Sequence, residues 1–292
     1  MTVAVKAMEG MTFGCDPELF VVNGNDEFVY PEWIPGNKEE PHPVEHGAVQ
    51  IDGMAAEFNI DPVDNYEDWE RNISAVMKQL KGFLPAGYKT VVVPKAQFTE
   101  ENWNYAPEEA KVLGCMPDFN AWTGDLNPPP DGECLPFVRT AGGHGHLGWT
   151  EGATPDDLQH LTNCRDLVKQ LDWFIGAWSV QKDPDTTRRH MYGKAGAMRY
   201  KEYGVEYRMP SNFWIANKIL RKDFWNRMNS AVNNMKSSFI PNNPICTKYG
   251  FNDLLIQSIN ESYLPDTLLI KFEFPIKNIQ KTSGKTKKAL VA

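Results

Sequence analysis

The sequence is poor in cysteine, in long apolar runs and in net positive charge, and each deficit excludes a class of protein. Its five cysteines form no CxxC pair, which argues against a zinc site or a disulfide framework and predicts reduced thiols used for packing. Nowhere do roughly 18 apolar residues run together, and residues 1–10 lack the features of a secretory signal, so we expect a soluble, cytoplasmic protein. The net charge of -8 makes nucleic acid an unexpected partner.

The composition predicts a folded enzyme-sized chain. Of 292 residues, 41% are hydrophobic and 12% aromatic, which is enough to bury a sizeable core and excludes a disordered chain. No repeat or long flexible linker divides the sequence, so we expect one domain over residues 1–276. Residues 277–292 contain five lysines and no acid, and we expect them to form a basic, solvated tail.

The apolar periodicity predicts an α+β fold. Residues 11–22, 49–60, 89–93, 142–149 and 204–209 read as extended segments. Helical spacing of apolar residues predicts a helix over residues 65–83 that is capped by Asn65. A second helix is expected to begin at Thr154, Pro155 and Asp157, and a third to run from a Ser211 cap to about residue 239. Residues 101–131 are expected to form a loop.

Two phosphate-binding motifs fail on their context. Gly143, Gly145 and Gly148 spell GxGxxG, but a dinucleotide site requires a helix to open at these glycines, whereas this segment is predicted to be extended. Residues 283–286 match the end of a phosphate-binding loop, but the first glycine of that motif is absent.

The His144–His146 pair also suggests a metal-dependent hydrolase. The other histidines lie in a loop, on a helix or in the basic stretch, so a centre with several histidines is hard to assemble from this sequence. A hydrolase is kept as an alternative.

Four extended segments place charged or histidine side chains where strands usually alternate apolar with polar residues. They are residues 14–20, 50–60, 142–149 and 204–208. Because a strand has a period of two, His144 shares a face with His146, and Glu206 shares a face with Arg208. We therefore expect each pair to point in one direction.

If these faces line one concave surface of a sheet, Glu18, Glu57 and Glu206 converge. Two carboxylates about 4 Å apart repel by about 4 kcal/mol at an effective dielectric constant near 20. Such a cluster must bind protons or a cation, and carboxylate oxygens favour Mg²⁺ or Mn²⁺ over zinc. Since these ions commonly bind phosphate as well, we expect a nucleotide as the cosubstrate.

A basic, glycine-containing stretch precedes Glu206 and supplies candidate phosphate ligands. These candidates are Arg188, Arg189, Lys194, Arg199 and Lys201. Lys38, which follows Gly36, is a weaker candidate. A single glutamate or arginine near a strand end is more often part of a surface ion pair, but here four segments each carry groups that suit one metal–phosphate site.

Four motifs in order resemble those of the phage carboxylate-amine (COOH.NH2) ligase type 2 family. They are FGCDPELF at residues 13–20, VQIDGMAAEFNI at 49–60, GGHGHLGW at 142–149, and YGKAG with YGVEYR within 192–208. The resemblance covers residues 12–214. That family is similar to glutamine synthetase and glutamate-cysteine ligase, which implies a catalytic core with a curved, mainly antiparallel sheet and flanking helices.

The resemblance also implies roles for individual residues. It makes four residues metal ligands: Glu18, Glu57, His144 and Glu206. It makes His146 a contact to an ATP phosphate and Arg208 the cation that stabilises the transferring phosphoryl group. The parts that Asp16 and Asp52 play are less defined. Asp16, Pro17 and Glu18 stand where glutamine synthetase carries its usual paired glutamates, which leaves the number of metals open.

The sequence thus predicts an ATP-dependent carboxylate-amine ligase that uses Mg²⁺ or Mn²⁺, with Glu57 and Arg208 as its catalytic residues. A carboxylate would be activated as an acyl phosphate and captured by an amine. The substrates are expected to be small molecules or peptides, and the host cytoplasm is the expected location if the phage resemblance holds. The alternatives are a phosphotransferase of the same fold, a metal-dependent hydrolase and a non-catalytic nucleotide-binding protein. The general base and the oligomeric state stay open.

Overall fold

The computed structural model describes residues 10–112, 118–128, 135–150, 152–154, 156–235 and 239–268. The strands are β1 Thr12–Val22, β2 Phe28–Val29, β3 His42–Val44, β4 Gly47–Asp52, β5 Ala55–Ile60, β6 Lys89–Val91, β7 Lys95–Gln97, β8 Phe119–Asn120, β9 Val138–Thr140, β10 Gly143–Gly148, β11 Ala197–Lys201 and β12 Gly204–Tyr207. The helices are α1 Tyr66–Gly82, α2 Glu100–Tyr105, α3 Glu108–Lys111, α4 Leu158–Leu171, α5 Ala177–Lys182, α6 Thr186–Met191, α7 Lys218–Met235, α8 Pro244–Lys248 and α9 Phe251–Asn260. The predicted basic tail, residues 277–292, lies outside the described residues.

Most strands belong to one antiparallel sheet in the order β3-β4-β5-β1-β10-β12-β11-β8. Strands β2 and β6 pair with the end of β1, and β7 pairs with β9 in a separate ribbon. The helices pack on this mainly antiparallel sheet, which confirms the predicted α+β class. The expectation of a glutamine synthetase-like core stays a prediction.

The two faces of the sheet differ in chemistry because side chains alternate along each strand. On one face, apolar residues pack against helices α1, α4 and α7, and the core includes Phe13, Leu19, Phe58, Leu147 and Val205. Burying one such side chain contributes about 1.5–3 kcal/mol. The opposite face carries the charged residues, so the helices support the sheet from behind and leave the candidate site accessible.

Helix α1 confirms the prediction for residues 65–83. The side chain of Asn65 accepts a hydrogen bond of 2.9 Å from the backbone N–H of Asp68, which satisfies one of the unpaired amides of the first turn. Trp69, Ile73 and Leu80 are fully buried on the face that meets the sheet.

The predicted single extended run over residues 49–60 is wrong. The chain forms a hairpin there, in which Asp52 at the end of β4 pairs with Ala55 at the start of β5. Gly53 adopts a φ of +56°, a conformation that glycine reaches without steric cost and that a two-residue reversal requires. The Asp52-Gly53 dipeptide is typical of such hairpins, and the apolar positions shift from 49 and 51 before the turn to 56, 58 and 60 after it, so the prediction of one run missed a signal that the sequence carries.

The starts of two later helices also differ from prediction. Helix α4 begins at Leu158 rather than at Thr154, because the carboxylate of Asp157 caps it by accepting from the backbone N–H groups of Gln159 and His160. Pro155 of the predicted start lies outside the described residues.

Ser211 is not a helix cap. Its hydroxyl donates to Asp183, and a short 3₁₀ turn at Asn212–Ala216 follows it. Helix α7 begins at Lys218, where the side chain of Asn217 accepts from the backbone N–H of Leu220.

Residues 101–131 contain more structure than the predicted loop. Helices α2 and α3 and strand β8 fall in this range. With the β7–β9 ribbon, α2 and α3 enclose a second, smaller apolar cluster that contains Phe20, Met54 and Ala110. Within the described part of the chain, no helix combines the length and apolar character needed to cross a bilayer.

Candidate functional site

Strand register brings the charged residues of the exposed sheet face into one band. Asp16 lies opposite His144, Glu18 lies opposite Glu57, and His146 lies opposite Glu206. Neighbouring strands are about 4.8 Å apart, so residues in register on one face are close enough to share a ligand. The band crosses the sheet from β5 through β1 and β10 to β12.

The first acidic cluster consists of Glu18, Asp52 and Glu57. One carboxylate oxygen from each residue lies within 4.8 Å of the other two. Gln50 donates to Glu57 at 2.8 Å, and the backbone N–H of Gly142 donates to Glu18 at 2.6 Å. These contacts orient two of the three carboxylates but leave most of their negative charge uncompensated.

Burial and mutual repulsion disfavour the ionised form of these carboxylates. Burial raises the pKa of Glu57 well above its ordinary value, and the charges of Asp16, Asp52 and Glu18 raise it further. Burial also raises the pKa of Glu18, although His144 and the Gly142 amide oppose the increase. Three carboxylates at this separation are the oxygen ligand set that a hard divalent cation prefers.

The second cluster consists of Asp16, His146 and Glu206, whose candidate ligand atoms also lie within 4.8 Å of one another. Asp16 Oδ2 is 3.0 Å from His146 Nε2, and the hydroxyl of Tyr203 contacts His146 Nδ1 at 2.5 Å. A partner on one ring nitrogen fixes the orientation of the imidazole and leaves the other nitrogen directed at the cluster.

Several polar atoms of the second cluster have no hydrogen bond. Asp16 Oδ1, His146 Nε2 and Glu206 Oε2 are buried and lack a hydrogen-bond partner among the described residues, their close neighbours being ion-pair contacts. Burial works to raise the pKa of Asp16, but the charges of His146 and His144 hold it well below its ordinary value. A cluster that offers an ionised carboxylate and buried atoms whose close neighbours are ion-pair contacts fits a bound cation.

Arg208 joins the second cluster to the basic side of the site. Its guanidinium donates to Asp118 at 2.6 Å and to Glu206, and Nη1 lies 3.3 Å from His144 Nδ1. Burial would raise the pKa of Glu206, but the charges of Arg208, His146 and His144 together outweigh it and lower the pKa to about 2. Lys201 Nζ lies 2.9 Å from the other oxygen of Glu206. Glu206 is therefore ionised throughout the physiological pH range.

Two open clefts meet at this band. The first, which we call the arginine-lined cleft, has a cavity volume of about 80 Å³ and is lined by Glu18, Asp52, Asp118, Arg139, Arg188 and Arg208, among others. The second, the glycine-floored cleft, has a cavity volume of about 420 Å³ and is lined by Thr12, Gly14, Asp16, Glu57, Asn59, Ile60, Pro62, His146, Gly148 and Tyr203, among others. The second volume falls in the range of about 300–1,000 Å³ that is usual for small-molecule sites, and the first has room only for a small group.

The predicted phosphate ligands occupy different environments. Arg199 faces the band and lies 3.8 Å from Asp118 and 3.9 Å from Glu206. Lys38 lies 3.4 Å from Asp52 at the rim. Arg188 lines the arginine-lined cleft, but its guanidinium also donates to the backbone carbonyls of residues 208 and 209 at 3.2 and 2.6 Å.

Two of the predicted phosphate ligands are not brought to the site. Arg189 is buried away from both clefts and donates to Ser179 and to the carbonyl of Asp183. Lys194 lines neither cleft. Composition marked the whole basic stretch, but both arginines of α6 are buried, and the contacts of Arg189 are with Ser179 and Asp183.

The grouping of metal-ligand candidates differs from the resemblance in one respect. His146, rather than His144, belongs to the second cluster, while His144 stands between Asp16, Glu206 and Arg208 at 3.2–3.6 Å.

Sequence reasoning left the parts of Asp16 and Asp52 undefined, and the structure places both residues in the clusters. The spacing of Asp16 and Glu18 by two residues signals a shared face. Asp118 carried no sequence signal, because only the fold brings β8 to Arg208.

Comparisons with known proteins leave the family of this chain unassigned. No protein-family model matches it, and no curated protein matches it. Among solved structures, it is similar to a bifunctional glutathione synthetase from Pasteurella multocida, with a TM-score of 0.42 and 12% sequence identity. The match covers 94% of this chain and 47% of that chain, so this chain spans about half the length of that protein.

Proposed function

We propose that this protein is an ATP-dependent carboxylate-amine ligase. The observation that carries the proposal is the position of two acidic clusters, Glu18–Asp52–Glu57 and Asp16–His146–Glu206, side by side on one sheet face where two clefts meet. Two clusters of this kind suit two divalent cations, Mg²⁺ or Mn²⁺. Cations held at the junction of two clefts are suited to joining a phosphate donor in one cleft to an acceptor in the other.

The charges of the clefts favour one assignment of the substrates. The described residues that line the glycine-floored cleft include no lysine or arginine, so this cleft suits a triphosphate whose charge is neutralised by metal ions. The other cleft contains Arg139, Arg188 and Arg208, which suit a carboxylate that enters without a metal. We therefore assign the nucleotide to the glycine-floored cleft and the acid to the arginine-lined cleft.

The chemistry follows from this arrangement. A carboxylate oxygen of the acid attacks the γ-phosphorus, the bond to the β,γ-bridging oxygen breaks, and ADP leaves with an acyl phosphate remaining. Arg208 stands at the junction and is held by Asp118 and Glu206, so its guanidinium is positioned to stabilise charge on the transferring phosphoryl group. An amine nitrogen then attacks the acyl carbon, phosphate leaves, and the nitrogen loses a proton to give the amide. Bound metal ions would supply charge neutralisation of the phosphates.

The test is ADP release by the purified full-length chain with a panel of carboxylates and amines. We expect release that depends on both substrates and that falls at least 100-fold in Glu57→Gln and Arg208→Ala, since each removes a group at the junction. Exposed Glu101→Gln and Arg71→Ala serve as matched controls and should retain wild-type rates. Wild-type turnover in both site variants would refute this site.

Product analysis separates the related activities. Mass spectrometry of a ligase reaction detects a product with the mass of acid plus amine minus water. A phosphotransferase of the same fold would instead yield a phosphorylated acceptor with ADP, and a hydrolase would act without ATP. A nucleotide-binding protein without catalytic activity would bind Mg-ATP and release no ADP with any pair of substrates.

A further inference from the structure

Gly14 is a glycine that the fold itself does not require. It lies inside β1 with an extended backbone and is absent from the positions with positive φ. A Cβ built on Gly14 would meet His146 Cβ at 3.5 Å and the carbonyl of Ile60 at 3.9 Å, which are ordinary contacts. Glycine inside a strand costs roughly 0.5–1 kcal/mol relative to alanine. Alanine at this position would therefore make the strand more stable, and the packing of the sheet does not explain why glycine is present.

The surroundings of Gly14 supply that reason. Gly14 lies on the same face of β1 as Asp16, the face that carries the site, and it lines the glycine-floored cleft. Pro62 lines the same cleft, and so does Tyr203, whose surface is 38% exposed, whereas Ile60 is part of the core and presents its backbone carbonyl near Gly14. A strand glycine often marks the place where a ligand approaches the backbone closely. Bare backbone bordered by apolar and aromatic side chains suits a flat, partly apolar group.

The second acidic cluster, Asp16–His146–Glu206, lies next to Gly14 in the glycine-floored cleft. Gly14 and Asp16 are two residues apart on one face, a separation of about 7 Å along a strand. A ligand whose charged end occupies the Asp16–His146–Glu206 cluster would thus extend its other end over Gly14. Asn59, on β5, lines the same cleft and offers an amide to a hydroxyl or a ring nitrogen.

We propose that the nucleoside part of the bound nucleotide lies directly on the backbone of Gly14, near Pro62 and Tyr203, with its phosphates directed at the Asp16–His146–Glu206 cluster. This assignment rests on the function proposed above. It identifies the part of the cleft that contacts the nucleoside, which a nucleotide has and a polyphosphate lacks. Gly14 then contributes to binding because the absence of a side chain leaves room for the ligand on its backbone. Any side chain at this position would occupy the space of the sugar or the base.

The experiment compares two probes on the full-length chain in the presence of Mg²⁺. A non-hydrolysable ATP analogue presents both the nucleoside and the phosphates, whereas inorganic tripolyphosphate presents only the phosphates. Calorimetry measures both affinities for the wild type, Gly14→Ala and Gly14→Val. We expect Gly14→Val to weaken the analogue at least 10-fold and tripolyphosphate by less than twofold, with Gly14→Ala intermediate for the analogue.

Gly24→Ala is the matched control, because its nearest neighbour would be the carbonyl of Gly87 at 3.9 Å, outside both clefts. It should bind both probes like the wild type. Thermal melting verifies that each variant is folded, and if Gly14→Val does not fold, Gly14→Ala decides the question, since its Cβ makes only ordinary contacts.

Each outcome has one reading. Wild-type affinity of Gly14→Val for the analogue overturns the placement of the nucleoside while leaving the proposed function intact. Equal loss of both probes in a folded variant also overturns it, because Gly14 would then act on the phosphates. A wild-type protein that binds tripolyphosphate but not the analogue contradicts the nucleoside site, and one that binds neither probe refutes the proposed function itself.

Discussion

Asp172 is predicted to make the stability of the fold depend on pH. It is fully buried on the helix side of the sheet, at the start of a π-helical turn, Asp172–Gly176. Its carboxylate accepts from Trp122 Nε1 at 2.6 Å, from the hydroxyl of Tyr207 at 2.8 Å and from the backbone N–H of Gly196 at 2.7 Å. Burial raises its pKa from the usual 3.8 to about 7, although the three hydrogen bonds oppose the increase.

The magnitude and the sign follow from proton linkage. An increase in the pKa of Asp172 from 3.8 to about 7 corresponds to about 4 kcal/mol in the free energy of unfolding. Because the folded state holds the proton more tightly than the unfolded state, this stabilisation is complete below pH 3.8. It declines as the pH rises and is lost above pH 7.

Asp172→Asn isolates this contribution. Its amide resembles the protonated carboxyl group, since the hydroxyl of Tyr207 can rotate to accept a hydrogen bond from it. Urea unfolding of both proteins between pH 4 and pH 8 should show the wild type losing up to about 4 kcal/mol relative to the variant between pH 4 and pH 7.5.

Asp125→Asn, at an exposed position, is the control. Its difference from the wild type should stay constant over the same range. A constant difference for Asp172→Asn as well would show that Asp172 has the same proton affinity in the folded and unfolded states, and the reasoning would fail.

Three further predictions test the site, the packing and the thiols. Mn²⁺ binding followed by electron paramagnetic resonance should give two sites per chain, and Glu57→Gln and Glu206→Gln should each leave one; two sites in either variant contradict the clusters. A double-mutant cycle on Arg221 and Glu70, which join α7 to α1 through contacts of 2.6 and 2.9 Å, should give a coupling of about 1–3 kcal/mol; a coupling near zero contradicts the pair. Burial raises the pKa of the Cys164 thiol, so iodoacetamide at pH 8 should label it in urea but not in the native protein.

Local patterns were sufficient where neighbouring residues alone determine structure. The period of two along β10 and β12 predicted the pairs His144–His146 and Glu206–Arg208, and the structure directs each pair to the same side of the sheet. The Asn65 cap was likewise predictable, because a capping side chain bonds to an amide three residues away.

The predictions from local patterns were wrong at the start of α4 and in the hairpin of residues 49–60. Thr154 and Asp157 are both residue types that commonly cap helices. In the structure the cap is Asp157, which directly precedes the first residue of α4. The apolar positions of residues 49–60 change phase at Asp52-Gly53, and the prediction of one extended run missed this sign of the hairpin. That hairpin is the reason that Asp52 returns to the side of Glu57.

The sequence by itself determined which side chains face together on each strand, and so which carboxylates, histidines and arginines were available for a site. Only the tertiary structure decided which of them share a cluster, because strand order and register depend on contacts between distant segments. Placing β1 between β5 and β10 separates Glu18 and Asp16 into two neighbouring clusters. The same non-local packing turns Arg189 into the interior and brings Asp118 to Arg208. Alternation along a strand specifies a face, whereas the partner across the sheet is set by the fold as a whole.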